Sequence, residues 1–83
     1  MKYEIYFKAV KNERTGLFLG EQILGWVFPS IFGNTFYSSS LLPSGNMVSF
    51  LHKTLAMESL LITTVEWFKK AGIIVEYKGG EIK

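Results

Sequence analysis

Few side chains in this 83-residue sequence could do chemistry, and they are scattered. His52 is the only histidine; Lys53 follows it and Glu58 lies six positions on. An imidazole in that company could act as a general acid or base near neutral pH. A lone histidine with no aspartate to orient it is more often structural, and aspartate is absent here. Arg14, the only arginine, sits in the polar run Lys11–Gly16. Arg14-Thr15-Gly16 ahead of a helix could hold a phosphate or carboxylate through the guanidinium and free backbone N–H groups. Ser38-Ser39-Ser40 lacks the G-x-S-x-G setting of a hydrolase nucleophile. One histidine and no cysteine exclude the usual zinc spacings, and no phosphate-binding glycine motif follows a strand. No catalytic residue, metal or cofactor is therefore assigned.

Binding is the better expectation. Aromatic residues dominate interface hot spots, which singles out Tyr6, Tyr37, Trp26 and Trp67 as anchors, with core packing a stronger alternative for Trp26 than for Trp67. Arg14, His52 and Lys53 complete the expected binding set, with Arg14 and Lys53 as anion contacts.

The positions around these residues are unusual in charge. Gln22 to His52 runs 31 residues without an Asp, Glu, Lys or Arg, so all 16 such side chains lie in the other 52. Exposed strands normally carry charge for solubility and to avoid pairing, so this third of the chain must be buried or covered. It is not a membrane span, which needs about 20 mostly apolar residues. Its apolar pieces, Ile23–Phe28 and Ile31-Phe32, are broken by Pro29, Gly33, Asn34 and the serines. Charges at Lys2, Glu4 and Lys8 leave no signal-peptide run, and the cytoplasm is the default location. With a net charge of +2 and no basic cluster longer than Lys69-Lys70, a nucleic-acid binder is disfavoured.

The coarse elements follow from periodicity. Residues 2–10 alternate as a half-buried strand, with Tyr3, Ile5, Phe7 and Ala9 opposite Glu4, Tyr6 and Lys8. Leu17, Leu24, Val27 and Phe28 can share one helical face, so Leu17–Val27 is read as a helix, beginning at Leu17 or at Gly20, weakened by Gly20 and Gly25 and ended before Pro29. Thr35–Leu42 and Met47–His52 read as a hairpin around the turn Pro43–Asn46. Thr54–Ala71 is an amphipathic helix centred on Leu61, capped by Thr54 and stopped by Gly72. Ile73–Lys78 is a last strand, and Gly79–Lys83 a tail.

Strand, helix, hairpin, helix, strand in a single domain of residues 1–83 predicts an α+β fold. The specific expectation is a ferredoxin-like βαββαβ sandwich, with an antiparallel four-stranded sheet and two helices on one face. In that plan Thr35–Leu42 is an uncharged edge and the other sheet face is open. That face carries Tyr6, Ile74 and either Met47-Ser49-Leu51 or Val48-Phe50-His52. Self-association through this face or edge is expected. Tyr6 would also suit an RNA-recognition sheet, but Gly45–Phe50 lacks the matching motif and basic support is missing.

The order Tyr3-Glu4-Ile5-Tyr6-Phe7, helix, long hairpin, helix, strand resembles small ferredoxin-like proteins of phages and mobile elements. The resemblance implies an accessory protein that binds and blocks, inhibiting or sequestering a host protein or small ligand. The alternative is a cofactor-free small enzyme of the dimeric α+β type, using His52 with Tyr6 for proton transfer.

Overall fold

The computed structural model describes residues 3–11, 14–43 and 47–79. β1 (Tyr3–Ala9), β2 (Thr15–Leu19), β3 (Gln22–Pro29), β4 (Phe36–Ser40) and β5 (Met47–Phe50) form an antiparallel meander. α1 (Lys53–Lys70) then leads to β6 (Val75–Tyr77), which pairs parallel with β1. The strand order is β5-β4-β3-β2-β1-β6, a mixed, curled, six-stranded half-barrel with one helix on its concave side. An 18-residue helix spans about 27 Å, and six adjacent strands span about 24 Å. One helix is thus long enough to carry the chain from one edge of the sheet to the other.

This overturns the ferredoxin-like expectation. The predicted helix over 17–27 is a β-hairpin, so the sheet has six strands in place of four and a single helix covers it. Gly20 sits in the two-residue connection between the paired residues Leu19 and Gln22, with φ of +61°. Only a residue without a Cβ takes that conformation freely, and tight hairpin turns demand it. The misleading signal was a β-bulge. Leu17 pairs with Gly25 and Phe18 with Ile23, which leaves Leu24 as the extra residue. The bulge breaks the period of two, so Leu24 and Val27 face the core together with Leu17, as they would along a helix. Phe28, assigned to the same helical face, lies on the opposite side of the sheet.

The core is built from Ile5, Leu17, Leu24, Val27 and Val75 of the sheet against Ala56, Leu60 and Phe68 of the helix. Each large apolar side chain among them contributes about 1.5–3 kcal/mol on burial. α1 packs on β3, β4, β5 and β6. Its buried stripe is Ala56, Leu60, Thr64 and Phe68, each four residues apart, so the packing centre lies beside Leu60 and Thr64 rather than at Leu61. His52, not Thr54, occupies the N-cap position, and its side chain makes no capping bond.

The C-terminal stop is as expected. Gly72 has φ of +81°, its N–H bonds to the Lys69 carbonyl, and the Ile73 N–H bonds to the Phe68 carbonyl. That is a Schellman ending, with Lys69 and Lys70 complementing the negative helix end. Gly72→Ala is expected to lower unfolding free energy by about 1 kcal/mol, because a Cβ is disfavoured at positive φ. Urea denaturation should show a lower midpoint at unchanged slope.

The hairpin expected at 35–52 is present as β4 and β5, but its strands exchange places in the sheet. β4 is interior, between β3 and β5, and β5 is the edge. The turn expected at Pro43–Asn46 lies, beyond Pro43, outside the described residues, as does the tail from Gly80 onward. Among the described residues, no helix is long and apolar enough to cross a membrane.

Candidate functional site: an aromatic sheet face

Strand register determines which side chains share the face away from the helix. Ile5, Phe7 and Ala9 of β1 pair with Leu19, Leu17 and Thr15 on the core side. Tyr6 and Phe18, also paired, must therefore point the other way. Trp26 and Phe28 flank the inward Val27 on β3, and Tyr37 pairs with Phe28 from β4. Five aromatic side chains from four neighbouring strands thus share this face. Each is half-buried, shielded in part by the others.

The geometry within this group is close. Tyr6 stacks on Phe18, with ring centroids 5.8 Å apart and planes at 17°. Its hydroxyl donates to the Gly20 carbonyl at 2.6 Å, which ties β1 to the β2–β3 turn. Phe28 and Tyr37 are 5.6 Å apart at a 40° tilt. The exposed Arg14 lays its guanidinium 5.3 Å from the Phe28 ring centre and 6.0 Å from that of Trp26. Such cation–π contacts contribute roughly 0.5–1 kcal/mol at exposed sites. The positive charge of Arg14 thus lies on the same side of the sheet as these rings. Beside it lies a trough of about 480 Å³ lined by Phe28, Ile31, Phe32, Tyr37 and Met47. Ile31 and Phe32, at the β3–β4 hairpin tip, are 94% and 83% exposed.

Of the expected binding residues, Tyr6, Arg14, Trp26 and Tyr37 meet on this face. Arg14 does not precede a helix as the sequence suggested; it precedes β2, and its partners are rings. Lys53 opens α1 and shares with Arg14 a second cavity of about 380 Å³ at one end of the half-barrel, which also takes in Thr15 and Phe36. His52 is exposed at the helix start, and its carbonyl accepts the Ala56 N–H. Proton transfer by His52 with Tyr6 would need both in one pocket. The Tyr6 hydroxyl is instead held at the β2–β3 turn on the helix-free side.

Trp67 is also remote from this group. It packs edge-on against Phe68 at 5.2 Å and lines a shallow cavity of about 330 Å³ with Ser40, Leu42, Ile62, Glu66 and Lys70. Trp26, named as an anchor with core packing as its alternative, faces away from the core. Phe18 and Phe28, on the same face, were not singled out by sequence. The signal that could have found them is Gly20-Glu21 between two apolar runs, which reads as a two-residue hairpin turn and puts positions 18, 26 and 28 on one face once the bulge is allowed for.

No family model matches the chain, and neither the curated proteins nor the solved structures include a significant match.

Proposed function

We propose that this chain is a non-catalytic binding protein, oligomeric in its working form, which acts by covering or sequestering a partner on its helix-free sheet face. The observation that carries this is the gathering of Tyr6 stacked on Phe18, and of Phe28 against Tyr37 beside Trp26, on one sheet face, with Arg14 laid over Phe28 and Trp26. Large exposed apolar patches mark interaction surfaces, and side chains carried on paired strands stay ordered before the partner arrives, which lowers the ordering cost of binding. The rings favour a flat apolar group and Arg14 favours a negative charge beside it. The partner surface is therefore expected to combine the two, as an aromatic carboxylate, phosphate or sulfonate does.

Anilinonaphthalene sulfonate has that chemistry and reports binding by fluorescence. Phe28→Ser is expected to weaken dye binding at least about tenfold, a change of roughly 1.4 kcal/mol, and Arg14→Gln to weaken it less. Trp67→Ser, on the helix, should leave it unchanged. Dye binding that survives both Phe28→Ser and Trp26→Ser in folded protein would place the surface elsewhere and refute the reading.

A further inference from the structure

The two edges of the sheet differ in how they are guarded. β6 is three residues long and carries Glu76; Lys78 follows it, with Nζ 4.0 Å from the Glu4 carboxylate. β5 is Met47-Val48-Ser49-Phe50, with neither charge nor proline. Met47 is 62% exposed and Val48 45%. Leu51, just beyond the strand, and Leu55, in the first turn of α1, are exposed as well. An edge strand presents a row of unpaired N–H and C=O groups, and folded proteins normally protect it with charge, proline or a covering segment. β5 carries neither charge nor proline.

We infer that β5 pairs antiparallel with β5 of a second copy about a two-fold axis, joining two six-stranded sheets into one. The absence of charge is what selects a second copy as the occupant. Two-fold antiparallel pairing sets the same four residues against their own duplicates, so any charge on β5 would meet its like. A foreign strand imposes no such condition. On the helix side, Val48 and Leu55 would bury against their duplicates. On the helix-free side, Met47, which walls the trough, would meet the second copy, so the trough gains a far wall from the partner. The pairing stands apart from ligand binding; only the use of the walled trough rests on the binding function proposed above.

Sedimentation of the full chain at about 100 μM, a concentration that detects micromolar association, should give twice the chain mass. Ser49→Lys, at an exposed strand position, is expected to raise the dimer dissociation constant about tenfold or more by opposing like charges. Val48→Lys should do the same, with an unchanged circular-dichroism spectrum as the check on folding. A monomeric parent protein would overturn the inference. So would a dimer dissociation constant unchanged in both lysine variants, or one raised by Phe28→Ser but not by Ser49→Lys, which would move the contact to the aromatic face. Dye binding measured on the same samples separates the two proposals, since Ser49→Lys should weaken the dimer while Trp26 and Phe28 still bind the dye.

Discussion

Gly25→Val is expected to cost more than about 3 kcal/mol of stability, enough to leave much of a marginal domain unfolded. Gly25 belongs to β3 where the sheet meets α1. A Cβ there would lie 2.7 Å from a Leu60 methyl and 2.8 Å from the Ser39 carbonyl oxygen. The methyl can turn aside, but the carbonyl belongs to the strand paired with β3, since Gly25 pairs with Ser40 and Trp26 with Ser39. Making room for a branched side chain means pushing β4 or the helix outward, which opens the core around Val27 and Leu60. Overpacking by a single methylene typically costs 1–3 kcal/mol, and valine adds three carbons against backbone. Thermal and urea unfolding would show the loss directly. A Gly25→Val protein as stable as the parent would mean that α1 does not sit this close to β3.

The second large effect is expected from Leu60→Ala. Leu60 is 1% exposed and centres the helix stripe. Truncation removes its packing and leaves a hole over Gly25, for a loss of about 2–5 kcal/mol. The two sites touch, so their effects should not add. In the Leu60→Ala background, Gly25→Ala should cost less than in the parent, with a coupling of about 0.5–3 kcal/mol, because part of the space its methyl needs has been cleared. Additive effects in that cycle would show that Leu60 does not fill the space over Gly25.

Much of the chain is legible where the signal is local. β1 shows plain alternation, and helix and hairpin appear within a residue or a few of their expected ends. The Gly72 stop is a property of a handful of neighbouring residues. The region 17–27 is different. Its inward set of Leu17, Leu24 and Val27 fits a helical period only because the bulge at Leu24 adds a residue to one strand, and a bulge exists only relative to its paired strand. The same error hid the site. With 17–27 taken as a helix, core packing is a strong alternative for Trp26 and Phe18 has no role. With it folded as a hairpin, both join Tyr6 and Tyr37. The serine cluster likewise changes meaning. Ser38 is buried within the sheet between Val27 and Val48, so the unguarded edge belongs to Met47–Phe50.

The amino-acid sequence by itself determined the long helix and its stop, the first strand, the 36–50 hairpin and the charge-free middle. These rest on periodicity, turn chemistry and composition, all of which act over a few residues. Only the tertiary structure decided that residues 17–27 pair as strands and that β6 returns parallel beside β1. It alone decided that five rings and one arginine share the face opposite the helix. The side a strand residue faces depends on where the helix lies and which strands flank it, and neither is encoded within the strand.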